Sequence, residues 1–333
     1  KFLISPKMPE NSTHNSICFF CHSVNNDFLF NTEDIFGYTY QLRRCRDCGC
    51  VFLSPPPSEV ALDKAYDYSY YGSAKHKFGV SMVVKAVDFF RKKRAVKVSR
   101  MMEENQRILD VGCARGDFLR YLSAKGNFEL YGVERTKNGA FIKTQDTHIK
   151  IQTAPLHNND FQTNFFDVVT MFHVFEHLEN PFEMLKVIAD ILKPGGKFVV
   201  SFPNIASWQA QWFKGKWFHL DPPRHLCFIE PRRFVYVMNS LSFELHSRTY
   251  FSMEQNPFGY IQSLLNVFCK KREVLYERIK GNTHYAGEYG KVNVFFQKLL
   301  ALLLLPFAVF LSLCESIAGK GGTLRFVFIN KKS

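Results

Sequence analysis

Near its start the sequence has no apolar run of signal-peptide length, and nowhere does it concentrate lysine and arginine into a long tract, although its formal net charge is +13. The first absence argues against secretion. Two closely spaced cysteine pairs among nine cysteines then lead to the expectation of a reducing, cytoplasmic setting. The second absence weakens a nucleic-acid reading. The positive excess is scattered over Arg91-Lys92-Lys93-Arg94, Arg232-Arg233, Lys270-Lys271-Arg272 and Lys331-Lys332, with no basic stripe interleaved with aromatics. Such scatter suits a solvated surface as well as approach to nucleic acid, acidic lipid headgroups or sugar phosphates. With 333 residues, the chain can bury one large core or two modest ones.

What is present is led by Arg107-Ile108-Leu109-Asp110-Val111-Gly112-Cys113-Ala114-Arg115-Gly116-Asp117-Phe118, a short apolar strand ending in an acid, then spaced small residues and a helix start. At Gly112, Ala114 and Gly116 a Cβ larger than a methyl would block the backbone's close approach to a ligand across the strand's carboxyl end. Leu130-Tyr131-Gly132-Val133-Glu134 offers a second strand with an acid at its tip, suited to two hydrogen bonds from ribose hydroxyls. These two signals alone leave three readings open: a tight turn in any α/β protein, a dinucleotide site, or an S-adenosylmethionine site.

The rest of the chain decides among them. Asp110-Val111-Gly112-Cys113-Ala114-Arg115-Gly116, Gly132-Val133-Glu134, Phe166-Asp167-Val168-Val169-Thr170, His173-Val174-Phe175-Glu176-His177-Leu178 and Leu192-Lys193-Pro194-Gly195-Gly196-Lys197 follow one another in the order and spacing of class I S-adenosylmethionine-dependent methyltransferases. Residues 105–255 resemble that family. The resemblance implies an α/β, Rossmann-like seven-stranded methyltransferase sheet with its last strand antiparallel, and S-adenosylmethionine as cofactor. It also implies cofactor contacts from Asp110, Gly112, Ala114, Gly116, Glu134, Pro155, Leu156, Phe172 and His173. The family usually has glycine where this chain has Ala114.

Ile149-Lys150-Ile151-Gln152 reads as the third strand, with Pro155 and Leu156 after it over the adenine in the family's arrangement. The continuous apolar run from Phe166 to Met171 suits a parallel strand buried on both faces. It ends at Phe172-His173, where acceptor and methyl donor should meet. Asn180-Pro181 then starts a helix through Phe182, Leu185 and Ile188 that Pro194-Gly195-Gly196 is expected to stop, ahead of a strand over Phe198–Phe202. His173 and His225 are the candidate bases for a hydroxyl acceptor. His173 to His177 also fits the HxxEH protease pattern, which is rejected because the segment follows a buried strand rather than lying within a helix. In the ubiquinone-pathway O-methyltransferases a similar acid and histidine cluster is associated with a divalent cation, but His173 here replaces the first acid. Glu176 and His177 are expected to orient one another and cap the next helix. Within an insertion at 204–232, Trp208, Trp212 and Trp217 suit stacking on a sugar face or packing as a hydrophobic lid, and Arg224 suits a phosphate or Asp221.

Ahead of this core, Cys18-Phe19-Phe20-Cys21 and Cys45-Arg46-Asp47-Cys48 set two CxxC turns at the ends of a hairpin, the ligand set of a structural zinc ion. Cys18, Cys21, Cys45 and Cys48 are the expected ligands, with His22 and Cys50 as bystanders. A ribbon of this kind, followed by three prolines and the tyrosines from Tyr66 to Tyr71, resembles the N-terminal region of bacterial methyltransferases of saccharide and natural-product pathways. The expected organisation is a zinc ribbon at 1–57, a helical segment covering the cofactor site at 58–104 with Val80, Val83, Val84, Val87 and Phe90 on one face, and the core at 105–255. A hydrophobic insertion follows at 256–320, and a last strand with a basic tail at 321–333.

Residues 299–313 are apolar on every face, unlike a surface helix. They fall short of the roughly twenty residues that span a bilayer, and Pro306 is expected to bend them. If Phe243–Tyr250 and Thr323–Ile329 are the last two strands of one sheet, a single crossing would leave the last on the wrong side of the membrane, so a transmembrane span stays only as the remaining alternative. A bent hairpin or in-plane helix dipping into one leaflet near Lys291, Lys298 and Lys320 is expected, with a buried helical pair or a dimer interface as the competitor. Together these features lead to an S-adenosylmethionine-dependent methyltransferase, peripheral on the cytoplasmic membrane, that methylates a hydroxyl of a saccharide or lipid-linked saccharide. The alternatives are an RNA methyltransferase and a non-catalytic scaffold that kept the fold.

Overall fold

The structure is a computed structural model that describes residues 16–66, 81–135, 148–282, 285, 287 and 289–332, with only the backbone at 81–84. The tyrosines beyond Tyr66, together with Val80, lie outside the described residues, as do the side chains of Val83 and Val84.

The chain opens with the cysteine hairpin, β1 (Asn26–Glu33) and β2 (Thr39–Cys45), followed by β3 (Val51–Ser54). Helices α1 (Glu59–Tyr66) and α2 (Ser81–Ser99) lead to β4 (Arg107–Val111), α3 (Asp117–Ser123), β5 (Glu129–Val133), β6 (Ile149–Gln152) and β7 (Phe166–Phe172). Then come α4 (Pro181–Ile191), β8 (Leu192–Pro203), α5 (Trp208–Phe213), the two-residue β9 (Cys227–Phe228), α6 (Pro231–Ser240) and β10 (Phe243–Thr249). Helices α7 (Asn256–Phe268), α8 (Val274–Lys280) and α9 (Lys291–Ile317) precede β11 (Thr323–Asn330).

Seven strands form the main sheet in the order β10-β11-β8-β7-β4-β5-β6, with β11 antiparallel to both its neighbours and the rest parallel, as the sequence implies. Alternation along β7 shows why its apolar run needs two covered faces. Val168 packs with Ala95, Val98, Leu119 and Leu122 of α2 and α3, while Val169 packs on the other side with Leu185, Ile188 and Phe234 of α4 and α6. A central strand of such a sheet is covered by helices on both sides, so a mainly hydrophobic run is what its sequence must show, while the edge strands β6 and β10 stay mixed.

Two local expectations are corrected. Helix α4 ends at Ile191 rather than at the Pro-Gly-Gly run, because Leu192 is already extended (φ −86°, ψ 129°) and pairs with Phe166, so β8 runs through Pro194-Gly195-Gly196. The C-terminal apolar segment is neither a bent hairpin nor a buried helical pair. It is one helix of 27 residues with Pro306 inside it, packed along α7. Pro306 lies on the outward, exposed side. The helix returns to the sheet through Gly321, where a Cβ would lie 1.8 Å from the Tyr250 carbonyl oxygen, so only glycine fits.

The cysteine hairpin is joined to the insertion after β8. β3 pairs with β9, Val51 opposite Phe228 and Phe52 opposite Cys227, so β1-β2-β3-β9 is one four-stranded sheet. Arg272 is buried between the two and donates to Thr32 Oγ1, the Glu33 carbonyl, the Gly215 carbonyl and the Trp217 carbonyl at 2.7–3.2 Å. Arg233 of α6 donates to the carbonyls of Cys48 and Asp47.

Candidate active site

After β4 the chain turns through three residues with left-handed backbone, Gly112 (φ +74°), Ala114 (φ +49°) and Gly116 (φ +72°). A Cβ on Gly112 would lie 2.2 Å from Val174 Cγ2, so no side chain fits there, and Gly116 is the residue that caps α3. The Ala114 N–H donates to Glu134 Oε2 at 2.7 Å, which brings the acid at the tip of β5 against the turn. Burial raises the Glu134 carboxyl above its usual range, opposed by the backbone N–H groups of Ala114 and Arg135. This small turn with a carboxylate on its rim fits a nucleoside: it keeps a Cβ out and offers an acceptor pair for vicinal hydroxyls.

The other proposed cofactor residues are placed less directly. Asp110 is buried within the sheet and accepts from Thr170 Oγ1 at 2.6 Å. Burial pushes its carboxyl up to about 7, with the Thr170 bond and the Arg94 charge opposing. The Phe172 ring is packed between Phe118, at 5.4 Å edge-to-face, and the Arg94 guanidinium, at 4.6 Å. In the loop after β6, Pro155 is exposed and Leu156 is buried in the main core. That loop starts beside Glu134, whose N–H donates to the Gln152 carbonyl.

Both candidate bases converge on one acid. His173 ends β7 in left-handed backbone (φ +56°), its N–H held by the Ser201 carbonyl at 2.9 Å and its Nδ1 3.1 Å from Glu176 Oε1. His225 Nε2 lies 3.9 Å from the same oxygen and 3.7 Å from Asp221 Oδ2, while its Nδ1 is 2.8 Å from the His219 carbonyl. A carbonyl only accepts, so His225 carries its proton on Nδ1. A non-glycine residue held in left-handed backbone at a strand tip is strain of the kind that clusters at functional sites.

Glu176 is 1% exposed, and its Oε2 has no hydrogen-bond partner among the described residues. Burial alone would raise its carboxyl, but the bond from His173 and the charges of His173, His225 and His177 overrule it and hold it down to about 2. Glu176 and His177 do not pair with each other, contrary to the expectation. His177 Nδ1 lies 2.9 Å from the Arg224 carbonyl and 3.1 Å from the Tyr66 hydroxyl, and burial first, then the nearby His225, lowers it to about 4. Residues 175–177 form a single 3₁₀ turn, which places Glu176 under the residue three before it. The spacing H-x-x-E is the sequence signal for this pairing.

Around this centre, Arg224 is committed to Asp221 (2.5 Å). Trp217 is fully buried in the core of the insertion, Trp208 stacks on Trp212 at 5.8 Å, and Trp212 stands 56% exposed. Only the last pair is open enough to meet another molecule. A fully buried ion pair, Lys280–Glu277 at 2.8 Å, lies beneath the insertion and had no sequence signal beyond its i,i+3 spacing.

Two groups among the described residues have the donors and closeness of a metal site. One is Cys18, Cys21, Cys45 and Cys48, with Cys18 Sγ to Cys48 Sγ and Cys21 Sγ to Cys45 Sγ both 3.5 Å. Four sulfurs at about 2.3 Å from one ion stand roughly 3.8 Å apart, so the thiols sit near that geometry. The other group is Glu176, His177 and His225.

Comparison with known proteins agrees with this geometry. Residues 88–248 match a family model described as a methyltransferase domain. Similar curated proteins are the ubiquinone biosynthesis O-methyltransferases of Dictyostelium discoideum (mitochondrial; 26% identical, 38% of this chain and 44% of the relative) and Idiomarina loihiensis (28%, 42% and 62%). That of Coxiella burnetii is 26% identical over 44% of this chain and 65% of the relative. The chain thus spans less than two thirds of the length of these relatives. Among solved structures, a putative sarcosine dimethylglycine methyltransferase from Galdieria sulphuraria aligns over 81% of this chain and 99% of its own, at 14% identity and a TM-score of 0.49. The Haemonchus contortus phosphoethanolamine N-methyltransferase 2 aligns over 85% and 62%, at 15% identity and a TM-score of 0.49. The left-handed turn, the acid at the tip of β5, the seven-stranded order and the family match together show that this chain carries a class I S-adenosylmethionine-dependent methyltransferase domain.

Proposed function

We propose that the protein transfers a methyl group from S-adenosylmethionine to a hydroxyl of a saccharide or lipid-linked saccharide. The observation that carries the hydroxyl is the His173–Glu176 pair. Bound in the cradle, the cofactor would supply a methyl on a sulfonium that is already electrophilic, so the protein's work is alignment and removal of one proton. With Nδ1–H of His173 donated to the Glu176 carboxylate, its Nε2 keeps a lone pair for the acceptor's proton, and the buried anion stabilises the imidazolium that forms. Gly112, Ala114 and Glu134 hold the nucleoside, and the exposed Trp208–Trp212 stack suits the face of a sugar ring. The names of the curated relatives support a hydroxyl acceptor and favour a second reading, an acceptor of the kind used in ubiquinone biosynthesis. The four-cysteine group is proposed to hold structural zinc, closed to chemistry because all four positions are filled by protein.

The test is transfer of radiolabelled methyl from S-adenosylmethionine into cell extract fractionated into lipid-linked saccharide, sugar nucleotide, quinone lipid and RNA. Label in a saccharide fraction that His173→Asn removes is expected. Label in quinone lipid would move the acceptor to the second reading, and label in RNA would overturn both.

A further inference from the structure

Helix α9 is built inside out. Its protein-facing side carries Val294, Leu304, Ala308 and Leu311 together with polar residues: Gln297, Ser312 and Glu315 are 4%, 0% and 0% exposed. Its outward side carries Phe295, Phe296, Leu302, Leu303, Phe307 and Phe310, each 59–68% exposed. Between Lys298 and Glu315 there is no Asp, Glu, Lys or Arg at all. A water-facing helix has the reverse arrangement, with its apolar stripe inward. Polar residues turned inward and hydrocarbon turned outward is the pattern of a helix whose outer solvent is lipid.

By length and composition α9 is long enough to cross a bilayer, but its attachments set a different orientation. At its N-terminal end Gln297 Nε2 reaches Cys269 Sγ (3.5 Å) just past the end of α7. At its C-terminal end Glu315 accepts from Tyr260 of α7 (2.7 Å), from Gln209 of the insertion (2.8 Å) and from the Gly322 N–H (3.0 Å). The helix, about 40 Å long, is therefore laid lengthwise along the domain, antiparallel to the shorter α7. Standing it upright in a membrane would draw α7 and the edge of β11 into hydrocarbon. Charge names the kind of surface. Val267 and Phe268, exposed at the end of α7, extend the apolar face beside the start of α9, and this end carries Lys270, Lys271, Lys291 and Lys298 on a chain of net charge +13. Apolar side chains in the acyl boundary with lysines at headgroup level are the two components of interfacial binding to an anionic leaflet.

We propose that the outer face of α9, with the C-terminal end of α7, is a monotopic docking surface that lies in the plane of an anionic lipid bilayer, which in a reducing compartment is the cytoplasmic leaflet. The inference is independent of the acceptor's identity, and its failure would leave the methyltransferase reading untouched. The test is co-sedimentation of the full chain with vesicles of phosphatidylcholine alone or mixed with phosphatidylglycerol, with S-adenosylmethionine binding measured in parallel by calorimetry. Binding to the mixed vesicles is expected. Leu303→Asp with Phe310→Asp should weaken it at least ten-fold, and Lys270→Glu and Lys298→Glu about five-fold for each lysine lost, with cofactor binding unchanged in all of them. Should the aspartate pair fail to fold, Leu303→Trp serves: its emission should shift to the blue on mixed vesicles. Wild-type protein that stays in the supernatant, an aspartate pair that still binds, or a tryptophan that does not shift each overturns the proposal. A stable dimer that the aspartate pair dissociates, with no vesicle binding, overturns it in favour of a second copy.

Discussion

Ala114 carries the most evident local cost in the cofactor turn. Its φ of +49° is left-handed backbone that glycine adopts freely and alanine only against the clash of its Cβ, about 1 kcal/mol. Ala114→Gly should therefore stabilise the protein by about 0.5–1 kcal/mol, part of the relief being returned as added freedom of the unfolded chain. A thermal melt should rise by about one degree, with cofactor affinity unchanged or tighter. A lower melting temperature would mean that the Ala114 methyl packs usefully. Glu134 is the opposite case, a side chain with a function and a modest structural bond. Glu134→Ala should weaken S-adenosylmethionine binding by about 2 kcal/mol, roughly thirty-fold in Kd by calorimetry, and an unchanged Kd would remove Glu134 from the site. Gly112, Gly116 and Glu134 were legible in the sequence because a nucleoside cradle leaves few residue types that fit it. The pairing of Glu176 with His173 was legible only as the H-x-x-E spacing, and that spacing does not say that His177, the nearer neighbour in sequence, turns instead to the Arg224 carbonyl.

At the scale of elements, strands were the easier part to read. β4, β7 and the Phe198–Phe202 part of β8 are buried on both faces and show as mainly apolar runs, whereas the sequence shows only the apolar part of α9, 299–313, with Pro306 as an expected bend within it. The helix nevertheless runs through the proline, which has no N–H to donate to the Leu302 carbonyl, so the packing of α9 along α7 outweighs that lost bond. What anchors α9 is the buried Glu315, whose carboxyl burial pushes up to about 7, against the bonds from Tyr260, Gln209 and Gly322. Because the folded state raises this carboxyl above its ordinary 4.5, folding binds its proton more tightly. Its contribution to stability is fully present below pH 4.5 and is lost as pH rises to about 7, by on the order of 2 kcal/mol. Glu315→Gln removes that slope while leaving every other titrating group in place. The stability difference between wild type and variant, from denaturant unfolding, should therefore favour wild type more at pH 5 than at pH 8. An equal difference at both would show that Glu315 is ionised throughout.

For the molecule as a whole, the four-cysteine group matters through what its hairpin holds. Nothing in the residue spacing signals the pairing of β3 with β9, since β9 is only two residues long and lies far along the chain, and a reading by local pattern separates ribbon from core. In the structure the strands behind the cysteines share a sheet with the insertion, Arg272 ties Thr32 to the carbonyls of Gly215 and Trp217, and a Cβ on Gly215 would meet the Asn31 carbonyl at 2.0 Å. The cofactor cradle between β4 and β5 stands on a different part of the main sheet. Loss of the proposed zinc should accordingly loosen the two CxxC turns first, then β3 and β9, and through them the insertion that carries His225 and the Trp208–Trp212 stack. Chelation, or Cys21→Ser with Cys48→Ser, should raise hydrogen exchange across 204–232 and weaken acceptor binding several-fold in KM, while S-adenosylmethionine Kd stays within about two-fold. Cys18, Phe20, Cys45 and Cys50 also pack into the core that lies against α4 and α6, so a second outcome has a clear meaning. If cofactor binding falls together with acceptor binding, the metal holds up the catalytic core directly, and the clamp between hairpin and insertion is a consequence of that packing rather than its purpose.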